Sequence, residues 1–265
     1  LYRYDYNTKQ LKPVNASIGF LSVTKMLTDG AENLWLGTST GLVKYSILKG
    51  QVTAEYTAGP GQLSVNSLSS LCLDKMGRLW IGTDGGGVDV LDTRTGSVSH
   101  LDQESKPTRL SSKTFHTIFI DKEQRKWIGT NKGGINIIDA SVNIFNTVRS
   151  GGAYPDLSNN FITSFFEDRQ SRLWIGTDGG GINVWSADRD RFTVYQAPTL
   201  SHNVISSIAQ SADQNTWIAT FGGGINRITP GGKVTAYKLV NEDGYENTIA
   251  IKVYNDSHEN IWTTT

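Results

Sequence analysis

One cysteine, no excess of either charge and no long apolar run are the first things to notice in this chain of 265 residues. A lone Cys72 cannot close an internal disulfide, and in the segment SLSSLCLD it reads as a small buried hydrophobe rather than a nucleophile or ligand. With 25 basic and 25 acidic residues the formal net charge is zero, so no global field draws in nucleic acid or a membrane surface. No apolar run approaches the roughly 18–20 residues that span a bilayer, and no secretory signal opens the chain. The four histidines, His100, His116, His202 and His258, lack metal-ligand spacing and read as loop or surface residues. No stretch shows an amphipathic helical period. The GGG runs at 85–87, 179–181 and 222–224 precede strands, with no helix to offer its N-terminus, so they read as hairpin turns and not as a phosphate cradle. No catalytic constellation, metal site or cofactor motif is legible.

What is abundant is repetition. Trp35, Trp80, Trp127, Trp174, Trp217 and Trp262 follow one another at 45, 47, 47, 43 and 45 residues. They stand in related phrases: DGAENLWLGTSTGL, DKMGRLWIGTDGGG, DKEQRKWIGTNKGG, DRQSRLWIGTDGGG, SADQNTWIATFGGG and DSHENIWTTT. Six residues before the tryptophan stands Asp29, Asp74, Asp121, Asp168 or Asp256, with Ser211 the exception. This aspartate reads as the cap of its own turn, because the alternating acids of a calcium loop are missing. A glycine follows two residues after the tryptophan, Ala219 once in its place, and is expected to let neighbouring backbones approach. The glycine six residues after it, Gly41, Gly86, Gly133, Gly180 or Gly223, is expected to adopt a positive φ.

Between these marks apolar residues alternate at period two, four short runs to a repeat. In the fourth unit the pattern predicts strands at 162–166, 173–177, 182–185 and 191–195, with turns at 168–171 and 178–181. A four-stranded unit repeated every 40–50 residues or so is a β-propeller blade, burying its faces only against its neighbours. The tryptophans supply the large apolar area between blades. The fold class is thus all-β, a propeller with about six blades' worth of chain. It divides into repeats near 18–58, 63–103, 110–148, 157–197 and 200–240, plus a unit split between 249–265 and 1–12, within one domain spanning 1–265. Two arrangements stay open: a ring closed by both termini, or a piece of a larger array, since both ends fall inside a repeat.

These phrases, read as I..l.eD..grLWIGTdgGGinv, resemble the two-component regulator propeller repeat along essentially the whole chain. The resemblance implies the periplasmic sensor region of a hybrid two-component system of gut Bacteroidetes, detecting oligosaccharides released from glycans. It further implies two consecutive seven-bladed propellers, which favours the incomplete array, and a histidine kinase beyond a transmembrane helix in the parent protein. An oligosaccharide ligand and a homodimer formed through the parent protein follow from it. So does a sensor module that is itself non-catalytic, without cofactor and without nucleic-acid binding. Two other readings stay in play, an interaction scaffold and a propeller-type polysaccharide lyase or glycosidase.

Ligand contacts are expected at two sets of loops. The first follows each tryptophan by four and five residues and offers Asp84, Asn131, Lys132, Asp178 and Phe221. The second precedes each blade and offers Lys113 and His202, beside Asn66, Asn160 and Asn203, which turn chemistry explains. Polar groups around one aromatic suit a sugar, whose hydroxyls want hydrogen bonds and whose ring face wants an apolar platform.

Overall fold

The computed structural model describes residues 2–5, 10–13, 22–30, 32–101, 110–139, 144–151, 156–240, 244–256 and 258–265. The repeat limits expected at 18 and 103 lie outside the described residues, as do residues 1, 6–9 and 257 of the split unit. All described regular structure is strand, in two compact units, Leu1–Ile120 and Asp121–Thr265.

The first unit opens with a hairpin of β1 (Tyr2–Asp5) and β2 (Gln10–Pro13). Two four-stranded antiparallel sheets follow. One runs β3 (Val23–Thr28), β4 (Asn33–Thr38), β5 (Gly41–Ser46), β6 (Gln51–Tyr56), and the other β7 (Leu68–Leu73), β8 (Arg78–Thr83), β9 (Val88–Asp92), β10 (Val98–Leu101). Strand β11 (Phe115–Ile120) closes this unit. In the second unit β12 (Lys126–Thr130), β13 (Ile135–Asp139) and β14 (Ile144–Val148) pair in order. Two complete blades come next: β15 (Ile162–Glu167), β16 (Leu173–Thr177), β17 (Ile182–Trp185), β18 (Phe192–Tyr195), then β19 (Ile205–Gln210), β20 (Thr216–Thr220), β21 (Gly224–Ile228), β22 (Val234–Tyr237). A short hairpin of β23 (Leu239–Val240) and β24 (Glu246–Asn247) precedes the last one, β25 (Lys252–Asn255) and β26 (Ile261–Thr264). The strands expected in the fourth unit thus form within a residue of their limits.

Burial follows from position in the sheet. The second strands, such as β16, are covered on both faces and read as unbroken apolar runs, whereas the outer strand β6 alternates exposed and half-buried residues. Trp35, Trp80, Trp127 and Trp174 are buried and Trp217 is half-buried; Trp262 is 61% exposed, so the expected interblade packing does not extend to it among the described residues. Between the last two complete blades Trp174, Ile182 and Val184 pack on Ile205, Ile208, Ile218 and Ile228. Four first strands, β3, β7, β15 and β19, carry a register shift at their second residue, the β-bulge that adds local twist.

In four units the aspartate before the tryptophan does more than cap its turn, whereas the buried Trp35 indole N–H has no hydrogen-bond partner among the described residues. Asp74 Oδ1 accepts the N–H groups of Met76 and Arg78, and Oδ2 accepts the Trp80 indole N–H at 3.1 Å and Arg78 Nε at 2.8 Å. The indole link recurs at 2.8 Å in Trp127 to Asp121, Trp174 to Asp168 and Trp262 to Asp256. In the exceptional unit the Ser211 hydroxyl accepts from Trp217 at 3.1 Å. Burial pushes the Asp74 carboxyl up, but the hydrogen bonds from Arg78 and Trp80 outweigh it, so it titrates below the usual carboxylate range. Indole and asparagine donors lower Asp256 likewise. A depressed folded value gives stability that is present above the unfolded value of about 3.9 and is lost as pH falls through the folded one. Melting temperature is therefore expected to be level from neutrality to about pH 5 and to fall below about pH 4, with a shallower fall in Asp74→Asn. Thermal melts across this range check it.

Three details depart from expectation. Among the invariant turn glycines Gly41 has φ +129°, but Gly86, Gly180 and Gly223 do not adopt a positive φ; their flanking glycines do. Those three are required by space instead: a Cβ would lie 2.3 Å from Ser64 Oγ at Gly86, 2.6 Å from Ser158 Oγ at Gly180 and 2.5 Å from Ser201 Oγ at Gly223. Cys72 is half-buried in β7, not fully buried. His116 is half-buried in the strand β11, neither a loop nor a surface residue, whereas His100 in β10 is exposed as expected.

Candidate functional site

The turns after the tryptophans and the segments that precede the next blade meet through backbone atoms. The Asn203 carbonyl accepts the N–H groups of Gly179 and Gly181 at 3.1 and 2.9 Å, and the Thr248 carbonyl those of Gly222 and Gly224 at 3.0 and 2.8 Å. In the first unit the Lys113 carbonyl holds Gly85 and Gly87, both at 3.1 Å. The same segments carry a buried leucine, Leu63, Leu157 or Leu200, and then a serine tied to the third strand of its own blade. Ser158 N–H donates to Asn183 Oδ1 and Ser201 N–H to Asn226 Oδ1, both at 3.0 Å. The asparagine two residues on takes a backbone N–H at 2.7 Å in three cases: Asn66 from Ala58, Asn160 from Ser150 and Asn203 from Ala197. Those asparagines are therefore turn residues.

Three of the expected site residues come together around Val204. Its backbone bridges to Asp178, and its carbonyl accepts the Phe221 N–H at 2.9 Å. Its own N–H donates to His202 Nδ1 at 3.1 Å. That bond makes Nδ1 an acceptor, so in the neutral ring the proton sits on Nε2. The His202 ring lies against Gly222, where a Cβ would be 2.9 Å from Nε2. Phe221 is 52% exposed and Asp178 is exposed, each tied to Val204 through backbone atoms.

The other four are not among the residues joined around Val204. Asp84 and Lys113 lie together in the first unit, with Asp84 bridged to Thr114 and both side chains exposed. Asn131 and Lys132 occupy the turn between β12 and β13; Asn131 Oδ1 is buried without a hydrogen-bond partner. Lys132 has φ +69° where the neighbouring blades place glycine, a backbone state that turn chemistry does not ask of a lysine.

One buried charge escaped the sequence reading. Asp89 in β9 is fully buried, accepts the N–H and hydroxyl of Ser64 at 2.9 and 3.0 Å on Oδ2, and meets His100 Nδ1 at 2.7 Å on Oδ1. Asn183 and Asn226 occupy its place in later blades, and that alternation of Asp with Asn in the third strand is the signal that marks it. Among the described residues no group of three or more His, Cys, Asp or Glu is arranged to hold a metal ion, and no helix is long and apolar enough to cross a membrane.

Blades of four antiparallel strands, with buried tryptophans and clasped turns between successive ones, define a β-propeller. The family model of the two component regulator propeller matches residues 62–85 and 156–179, and the chain carries repeats of that type. It is similar to the extracellular domain of the hybrid two component system BT3049 of B. thetaiotaomicron, with 24% identity over 91% of this chain and a TM-score of 0.74. It also resembles that of BT4673 from the same organism, with 21% identity over 92% of this chain and a TM-score of 0.55. This chain spans 32% and 42% of the lengths of those two structures. A catalytically inactive variant of virginiamycin B lyase from Staphylococcus aureus matches 92% of this chain and is itself covered over 78%, at 16% identity and a TM-score of 0.67. At these identities the likenesses establish the fold. No curated protein matches the chain.

Proposed function

We propose that this chain is the ligand-reading part of the extracytoplasmic, periplasmic sensor region of a hybrid two-component protein. It binds a glycan-derived oligosaccharide without turning it over and relays occupancy to a histidine kinase outside this chain. In this reading the parent protein acts as a homodimer and the domain binds no nucleic acid. The repeat type and the likeness to extracellular domains of hybrid two component systems support the sensor role. The observation that carries the ligand class is the gathering of Phe221, His202 and Asp178 around Val204. A half-exposed aromatic ring offers a platform to the apolar face of a sugar, while the imidazole N–H and the carboxylate meet its hydroxyls. Asp84, Lys113, Asn131 and Lys132 are proposed as further contacts from other turns.

Calorimetric titration with host and dietary oligosaccharides tests this. Saturable binding is expected, weakened at least about tenfold, or 1.4 kcal/mol, by Phe221→Ala. Binding untouched by Phe221→Ala and His202→Ala would overturn the site, and cleavage products after long incubation would overturn the non-catalytic assignment.

A further inference from the structure

One residue stands in register with each of five repeat tryptophans on the third strand of its blade: Lys44 opposite Trp35, Val90 opposite Trp80, Ile137 opposite Trp127, Val184 opposite Trp174 and Arg227 opposite Trp217. Where that residue is a cation it covers the ring. Lys44 Nζ lies 5.2 Å from the Trp35 ring centre, and the Arg227 guanidinium 5.9 Å from Trp217 and 5.7 Å from Tyr237. Over Trp127 an arginine from the following blade, Arg189, lies at 5.4 Å.

In the β15–β18 blade the short Val184 leaves this space open. A groove of about 240 Å³ results, lined by Arg172, Trp174, Val184, Arg191, Thr193 and Tyr195, with Ser186 at its side. The β7–β10 blade also has a valine, but Leu101 replaces the tyrosine and Ser97 the second arginine. The combination is therefore particular to this blade.

The wall is aromatic, because Trp174 and Tyr195 stack at 6.3 Å with 7° between their planes. The charge is cationic but partly answered. Arg172 gives Nε to Asp168 at 2.7 Å while lying 5.5 Å over Trp174, and Ser186 Oγ donates to Asp190 at 2.7 Å. Asp168 and Asp190 are thus already engaged, whereas the exposed Arg191 guanidinium has no ion-pair partner among the described residues. A guest completing this groove brings a carboxylate for the two arginine forks, an apolar face for the stacked rings and hydroxyls for Thr193 and the Tyr195 phenol. The volume lies below the ~300–1,000 Å³ of pockets for drug-sized ligands, which suits one sugar ring.

We propose that the groove between Arg172, Arg191 and Tyr195 is a binding subsite for a single acidic sugar, a uronate, separate from the Phe221 cluster. Titrating the protein with methyl β-D-glucuronide while following the Trp174 indole N–H resonance tests it. A saturable shift is expected, with methyl β-D-glucoside binding at least tenfold more weakly. Arg191→Ala, at an exposed position, is expected to weaken glucuronide binding at least tenfold. Val184→Arg, which copies the arrangement around Arg227, is expected to fill the groove and do the same. Phe221→Ala is expected to leave the titration unchanged, so the outcome is independent of the site proposed above. Equal affinity for glucuronide and glucoside, unaltered binding by both groove variants, or a Trp174 resonance that stays put through tens of millimolar glucuronide would each overturn the assignment.

Discussion

Asp168→Ala is expected to destabilise the protein by about 2–4 kcal/mol, more than any other change at a single polar side chain of its blade. Its two oxygens accept the N–H groups of Gln170 and Arg172, the Arg172 Nε and the indole of Trp174. Alanine strands the buried indole donor and two turn N–H groups at once, each costing about 1–3 kcal/mol where water cannot reach it. The charge of Arg172 contributes less, because its side chain is 31% exposed and water replaces the lost partner. Asp168→Asn keeps an acceptor and is expected to cost roughly half as much. Ser211→Ala removes a single acceptor from a half-buried indole and is expected to cost about 1 kcal/mol. Urea unfolding of the three variants checks the order. Equal losses for Asp168→Ala and Ser211→Ala would mean that the aspartate acts as a turn cap alone.

A comparable loss, about 3 kcal/mol or more, is expected for Gly181→Ala, by a different cause. Gly181 has φ +71°, and a Cβ there would sit 2.2 Å from the Tyr195 carbonyl oxygen, which is backbone and cannot rotate away. Gly179, two residues earlier, has φ +98° but meets nothing closer than Asn159 Nδ2 at 3.6 Å. Gly179→Ala is therefore expected to cost only the left-handed backbone term of about 1–2 kcal/mol. Measuring both separates conformation from crowding. If the two cost the same, close approach of the third and fourth strands contributes nothing.

This pair of glycines also shows where the sequence was readable and where it was not. Period-two alternation located β15 to β18 within a residue, because strand length and turn composition are local properties. The spacing of the tryptophans showed the blade, since each must meet the next seam at the same height. What the alternation could not carry was pairing between segments distant in the chain. The approach of Ser158 Oγ to Gly180 decides why glycine is needed there, and it joins residues 22 positions apart through the β17 asparagine. The indole link to Asp168 was likewise hidden, although the constant spacing of six residues was plain, because a turn cap and a side-chain acceptor leave the same mark in the sequence. At the candidate site, Phe221 was identifiable as an aromatic in a turn that otherwise asks for glycine or a small polar residue. The role of His202 was not, since its Nδ1 imitates the side-chain acceptors that Asn159 and Ser112 provide at the same place in other blades. The groove around Val184 was unreadable for the converse reason: it is defined by an arginine that is missing.

The clasp in which one carbonyl holds two glycine amides makes each turn depend on a residue that comes later in the chain: Gly179 and Gly181 on Asn203, Gly222 and Gly224 on Thr248. Synthesis therefore delivers every turn before its clasp exists. A blade emerging from the ribosome stays unlatched until the segment leading into its successor's first strand has followed, so order is acquired one step behind the growing end.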